Sequence, residues 1–402
     1  MSAAEEILDW LEPRADEMAG LVEELVAIDT ENPPGRALGR CGLALHAAMA
    51  RLGFAPELIE LEPTGQLEGP CIVRGSVGQG EPLVYFHGHF DVVPAQSREQ
   101  FQPQRADGRI VGRGTADMKG GLVSMLYGAA AVRDLGLIPT GRIVFHFVCD
   151  EETGSVTGSG HLRDAGMIDP GALAMVTAEP TGGVIWHANR GAITLRVNVR
   201  GRSAHVGQAH LGVNAFAHMV QIAGPLTTLS NELLARRTSF PLEGDQARGS
   251  MLVVGGASGS GANFNVVPGE AWFSVDRRFN PEEDLDEELN RLISTIESAA
   301  HTAGADASVS VLQCQPSART DAEHPTAVAL ARCVEAVERR PARFELCPGV
   351  LEIRWYAQLG IPAFAYGAGR LDLSHGPDEY IDEAAMRRCA AVYGLFASDQ
   401  LG

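Results

Sequence analysis

Apolar residues recur at helical spacing from about residue 4 to 29, at Ile7, Leu8 and Leu11 and again at Leu21, Leu25 and Val26. The turn Glu31-Asn32-Pro33-Pro34-Gly35 ends that helix, and a second helix is predicted over about 38–52. From there, short unbroken apolar runs alternate with helical patterns. Strands are predicted at 83–86, 143–148, 173–176 and 362–366, and helices at 124–135 and 326–338. A strand that is apolar throughout offers water no face, so its sheet must be covered on both sides. The pattern therefore predicts an α/β fold with a mostly parallel sheet and helices on both faces.

Between about 183 and 315 the pattern changes. Residues 192–199 alternate, with Ile193, Leu195, Val197 and Val199 on one face, and 307–312 alternate again. Residues 251–254 and 271–275 are further strand candidates, and helices at about 213–235 and 282–303 could cover one side of such a sheet. This predicts an inserted, smaller α+β domain over 183–315, with the larger domain built from 1–182 and 316–402. A chain of 402 residues exceeds what one hydrophobic core comfortably organises, in keeping with two domains.

Composition narrows the function. A formal net charge of -19 repels phosphate backbones and anionic lipid, so neither nucleic acid nor a membrane surface is the expected partner. The seven cysteines (Cys41, Cys71, Cys149, Cys314, Cys333, Cys347 and Cys389) are scattered, odd in number and without a CxxC pair. Neither a disulfide framework nor a thiolate zinc site is indicated. Glu5, Glu6 and Asp9 give the first residues no signal-peptide character, and no stretch approaches about 18 uninterrupted apolar residues. A cytoplasmic location is expected.

The predicted strands share one feature. Residues 83–86 lead into His87-Gly88-His89-Phe90-Asp91-Val92-Val93-Pro94, and 143–148 into Asp150-Glu151-Glu152-Thr153-Gly154. Residues 173–176 lead into Glu179-Pro180, and 362–366, after a loop, into Ser374-His375-Gly376-Pro377. A fifth acid, Asp117, lies in the glycine-rich run 112–121 just before a helix. Ligands gather beyond the carboxyl ends of parallel strands, so these residues are expected to converge. Imidazoles with several carboxylates suit zinc or a related divalent ion. His89 and Asp91 point the same way in extended chain, which lets Asp91 support the ring nitrogen of His89 that faces away from a metal. A bridging Asp117 would hold two cations about 3.5–4 Å apart, and Glu151 would take a proton from an activated water and return it to the leaving nitrogen. The second cation, with a nearby donor, would stabilise the oxyanion. The 112–121 run lacks the GxxxxGK[ST] spacing of a phosphate cradle, and its aspartate would repel phosphate.

Over roughly residues 22–382 these motifs resemble the metallopeptidase family of acetylornithine deacetylase, succinyl-diaminopimelate desuccinylase, carboxypeptidase G and aminoacylase. The resemblance implies one metal on His89 and Glu179, another on Glu152 and His375, Asp117 between them, Asp91 orienting His89, and Glu151 as base. Two divalent cations are implied, zinc first, with cobalt or manganese as alternatives. The 183–315 insert corresponds to a lid and dimerisation domain, so a homodimer is implied. Within it, Gly201-Arg202-Ser203-Ala204-His205 matches the stretch whose histidine helps to hold a substrate carbonyl. Asn265-Val266-Val267-Pro268 and Asp276-Arg277-Arg278 match stretches whose asparagine contacts substrate and whose arginine binds its carboxylate, a task suited to a bidentate donor. The usual Gly-x-x-Asp-x-Arg reads Gly349-Val350-Leu351-Glu352-Ile353-Arg354, which puts Arg354 among the expected substrate-binding residues and a longer acid, Glu352, near them. His87 departs from the family's ligand pattern, and it and His146 are expected to be structural. Cys149 is expected to be a small apolar filler.

The resulting expectation is a two-metal amidohydrolase acting on a small N-acylated amino acid. A dipeptidase or carboxypeptidase of the same family is the second reading, and a catalytically silent metal-binding module the third. Because His205, Asn265 and Arg278 lie far in sequence from the metal ligands, substrate is expected to bring the two domains together.

Overall fold

The computed structural model describes residues 1–402 apart from Thr64, Pro139 and Glu243. The chain forms two compact units, one of Met1–His187, Thr320–Glu345 and Glu352–Gly402, the other of Ala188–Arg319 and Leu346–Leu351.

At the centre of the first unit, four strands lie side by side in the order Gly141–Val148, Leu83–His89, Ala174–Thr177, Ala363–Ala365. All three pairings among them are parallel, so all four end at one edge. These are the four strands predicted from unbroken apolar runs. On one side Cys71–Gln79 and then Glu57–Glu60 add antiparallel, and on the other Ile185–Asn189 pairs antiparallel with Ala363–Ala365. Cys71–Gln79 escaped the sequence pattern because Arg74, Gly75 and Gly78 interrupt its apolar residues.

Both faces are covered, as two-sided apolar strands require. Val84 and Phe86 belong to the core shared with the helices Gly120–Asp134, Pro325–Glu338 and Glu383–Leu401. Tyr85 points to the other face, where its ring meets Tyr356 of the short helix Ile353–Ala357. The helix expected over 4–29 is two helices, Ala3–Leu11 and Ala15–Val26, joined by a turn at Glu12–Arg14. Pro13 lies in that turn and cannot donate to an ongoing helical ladder. At the end of the second of these helices, the buried ammonium of Lys119 donates to the carbonyls of Leu25 and Ile28 at 2.9 and 3.0 Å. This contact ties the Asp117 loop to the sheet's helical cover.

The second unit holds an antiparallel sheet in the order Met251–Ser260, Glu270–Phe279, Gly191–Arg200, Asp306–Gln315. Ile193, Leu195, Val197 and Val199 are buried together with Ile222 and Leu226 of Ala215–Leu233 and Leu292 and Ile296 of Leu285–Ala303. Those helices cover one face, the arrangement that the alternating strands called for.

Gly120–Asp134 is buried nearly all round, and it crosses Glu383–Leu401 where Gly128 meets Gly394. A methyl group at Gly128 would run into the Ala390 carbonyl, and one at Gly394 would lie 2.8 Å from the Gly128 carbonyl oxygen. Gly128→Ala is therefore expected to cost about 1–3 kcal/mol through overpacking, despite alanine's better helix propensity. Denaturant unfolding measures this, and a stability equal to the parent's would contradict the close crossing.

Candidate metal centre

The carboxyl edge of the parallel strands gathers the acids and imidazoles. Leu83–His89 ends on His89, whose Nε2 lies 3.2 Å from Oδ1 of Asp117. Its Nδ1 faces Asp91, 3.0 Å from the backbone carbonyl and 3.3 Å from Oδ1. The buried Asp91 carboxylate also accepts the backbone amides of Glu151 at 3.1 Å and Glu152 at 3.2 Å, and the Asn32 side-chain amide at 2.9 Å. Asp91 thus sets the His89 ring chiefly through its backbone carbonyl, and through its carboxylate the turn Glu151–Thr153 that follows Gly141–Val148.

Asp117 sits in an irregular turn, Thr115–Lys119, entered through Gly114 in the left-handed region (φ 83°) and containing a cis Asp117–Met118 peptide. The amides of Ala116 and Asp117 donate to Oε1 of Glu379 at 3.0 and 3.1 Å, and Glu379 is paired with Arg113. Both partners of that pair are buried. Sequence reasoning missed Glu379, whose only signal was an acid shortly after His375. His375 has φ 66°, and its carbonyl accepts from Gln96 at 2.8 Å and Arg113 at 3.1 Å. These bonds aim its Nε2 at Asp117 Oδ2, 3.3 Å away, and at Glu152 Oε1, 3.6 Å away.

Two triads result. The ligand atoms of His89, Asp117 and Glu179 lie within 4.8 Å of one another, as do those of Asp117, Glu152 and His375, so Asp117 belongs to both. Oε1 of Glu152 and Oε1 of Glu179 are buried without a hydrogen-bond partner among the described residues. Unpaired carboxylate oxygens buried beside imidazoles are costly on their own, and this mixed nitrogen and oxygen donor set fits two divalent cations.

The electrostatics express the same crowding. Burial pushes Glu179 up to about 8 and Asp150 up to about 7, in both cases reinforced by neighbouring carboxylates. Glu152 is raised and Glu151 is raised well above the usual carboxylate range, again chiefly by burial. Asp117 shows the reverse: burial would raise it, but hydrogen bonds from His375 and His89 hold it low. The neighbouring Asp117 and Glu152 carboxylates lift His375 to about 10. His89 is raised too, its burial outweighed by Asp117 and Asp91.

The other expected site residues are placed differently. His205, Asn265 and Arg278 belong to the second unit. His205 and Val266 pair in a two-residue ribbon, the Asn265 carbonyl accepts from Val206 at 3.0 Å, and both His205 and Asn265 are exposed. Arg278 pairs with Asp276 at 2.8 Å. Arg354, expected to contact substrate, is buried, with Nη1 3.2 Å from Glu352 and Nη2 3.1 Å from the Gly154 carbonyl. His87 and His146 are both buried and joined through the Tyr356 hydroxyl. Cys149 is fully buried and its thiol is pushed up by burial.

A parallel sheet edge carrying two imidazole and carboxylate triads defines a metal-dependent hydrolase of amide or peptide bonds. The chain belongs to peptidase family M20/M25/M40, whose family model matches residues 85–399. It is 27% identical over 325 residues to a succinyl-diaminopimelate desuccinylase of Corynebacterium glutamicum, covering 79% of this chain and 81% of that one. In fold it is similar to a di-peptidase of Saccharomyces cerevisiae, with a TM-score of 0.79, 17% identity and 99% of each chain covered. A metallo-carboxypeptidase of this family from Sulfolobus solfataricus also gives a TM-score of 0.79, at 16% identity over 95% of this chain and 98% of that one. Among the described residues, no helix is long and apolar enough to cross a membrane.

Without cations the shifts above, that of Asp117 apart, share one sign. Glu179 keeps its proton to about 8 where the unfolded value is 4.5, Asp150 to about 7 against 3.8, and His375 to about 10 against 6.5. The folded form then binds more protons than the unfolded one, so stability falls as pH rises through these windows. Melting of the cation-free protein is expected at a lower temperature at about pH 8 than at about pH 5.5, and added zinc is expected to raise it more at the higher pH. A cation-free protein that is more stable at the higher pH would refute this electrostatic picture.

Proposed function

We propose that this enzyme removes an acyl group from the nitrogen of a small N-acylated amino acid. The observation that carries it is the pair of triads sharing Asp117. His89 and Glu179 would hold one divalent cation, Glu152 and His375 the other, and Asp117 both. Zinc is the ion proposed, with cobalt or manganese as substitutes. Such a pair supplies Lewis acidity, activating a water and polarising the substrate carbonyl.

The chain's own residues do the rest. Glu151 accepts a proton from the attacking water and delivers it to the nitrogen as the C–N bond breaks, so carboxylic acid and free amine leave with all protons accounted for. Its raised proton affinity suits a group that must take and return a proton near neutral pH. Asp91 keeps the far nitrogen of His89 engaged and holds the amides of Glu151 and Glu152, so base and ligand move as one. From the second unit, His205 is assigned to the substrate carbonyl, Asn265 to a further contact with substrate and Arg278 to its carboxylate. A cytoplasmic homodimer is proposed as the working form. The desuccinylase relative supports acyl removal, while the di-peptidase and carboxypeptidase likenesses support the fold alone.

Glu151→Ala is expected to lose at least about 10²-fold in kcat while two cations per chain remain bound by elemental analysis. Near-parental turnover would remove Glu151 from the mechanism. Asp117→Asn is expected to reduce binding of both cations, whereas Glu179→Gln and Glu152→Gln should each weaken one. Assays of zinc-, cobalt- and manganese-loaded protein against N-acetyl and N-succinyl amino acids and against unblocked dipeptides decide the substrate class. Hydrolysis of dipeptides alone would replace the deacylase reading with the peptidase one.

A further inference from the structure

Behind the triads lies a second, wholly buried polar cluster centred on Glu352. Its carboxylate accepts from five side chains on three segments. Ser155 and Ser159 reach it from just after the Glu151–Thr153 turn. His87 Nε2 reaches it at 2.9 Å from the strand that ends on His89. Arg354 Nη1 and Trp355 Nε1, both at 3.2 Å, reach it from its own helix. Five donors saturate a carboxylate's lone pairs.

The protons can be placed. Burial holds His146 neutral, and its Nε2 has no hydrogen-bond partner among the described residues, so its proton belongs on Nδ1. That N–H donates to the Tyr356 oxygen at 2.8 Å, and the Tyr356 hydroxyl donates to His87 Nδ1 at 3.0 Å. His87 then presents Nε2–H to Glu352, whose carboxylate is the charged end of the chain. Although burial opposes it, that charge is kept by His87 and Arg354, which hold the acid at about 2.

The cluster is built around the turn that bears Glu151. Gly154 closes the turn by donating to the Glu151 carbonyl at 2.9 Å, and Arg354 Nη2 holds the Gly154 carbonyl at 3.1 Å. Glu352 holds the hydroxyls of Ser155 and Ser159 further along, while Asp91 grips the amides of Glu151 and Glu152.

We propose that Glu352, with Arg354, is a positioning residue that locks the Glu151–Thr153 turn in register with the His89 strand, and not a contact for substrate. Aspartate, one methylene shorter on the same helix, would draw back from either the serines or His87. The glutamate and His87 are therefore one device, the two departures from the family pattern accounting for each other.

The proposal rests on Glu151 as the base, and its test separates the two. Cation-loaded parent, Glu352→Gln, Glu352→Asp, Ser159→Ala and Glu151→Ala are compared by kcat, KM, cation content and amide hydrogen exchange over residues 151–159. Glu352→Gln is expected to lose about 10²-fold in kcat, the usual cost of a reacting group misplaced by about 1 Å, with KM and two bound cations unchanged and faster exchange in the turn. Glu352→Asp, keeping charge without reach, should fall between it and the parent. Ser159→Ala should show a smaller kcat loss with the same exchange pattern, and it serves if the glutamine variant fails to fold. Parental kcat and exchange in both Glu352→Gln and Ser159→Ala would overturn the proposal, as would a raised KM with intact kcat or loss of a cation. An inactive Glu151→Ala beside a fully active Glu352→Gln would sink the positioning role alone. An active Glu151→Ala would sink the base assignment instead, leaving hydrogen exchange to judge the turn.

Discussion

Carboxylates confined at one sheet edge repel one another, and in this protein Asp117, Glu151, Glu152 and Glu179 are confined in that way. Two imidazoles offset part of the charge, and Glu152 and Glu179 keep buried oxygens with no hydrogen-bond partner among the described residues. A fold tolerates such crowding only when the surrounding structure leaves the acids nowhere else to go. Here the parallel strands deliver His89, Glu179 and the Glu151–Thr153 turn to a common edge, and the Glu379–Arg113 pair pins the loop that carries Asp117. Divalent cations are the natural counter-charge for that arrangement.

The scaffold works in two layers. Asp91 touches both a ring of the first triad and the amides of the neighbouring turn, coupling ligand orientation to base orientation through one residue. Further back, Glu352, His87, Tyr356 and His146 form a continuous buried hydrogen-bonded chain under the same edge. A buried network of this kind specifies one arrangement strongly, because any member that moves leaves its neighbours unsatisfied.

The membership in peptidase family M20/M25/M40 is consistent with this division. The departures at His87 and Glu352 fall in the supporting layer. There the longer acid has a histidine partner and two serine donors, all within the cluster.

Much of this was legible in one dimension. Unbroken apolar runs marked the four parallel strands, because a strand buried on both faces can carry little else. Residues placed just past those runs marked the edge where the triads form, and alternation at 192–199 marked a sheet with a single covered face. The break at Pro13 was overlooked because the apolar spacing continues across it, and Cys71–Gln79 was overlooked because its glycines dilute the pattern. Neither Glu379 beneath the Asp117 loop nor the burial of Arg354 could be read, since a charged residue carries no local sign of whether it faces water, substrate or another charge. The sequence by itself determined which segments become strands and helices and which acids and imidazoles sit at strand ends, because periodicity and strand direction are local properties. Only the tertiary structure decided that Asp117 is shared by both triads and that Glu352 closes on His87, 265 residues away, because such pairings depend on side chains meeting across the packed interior.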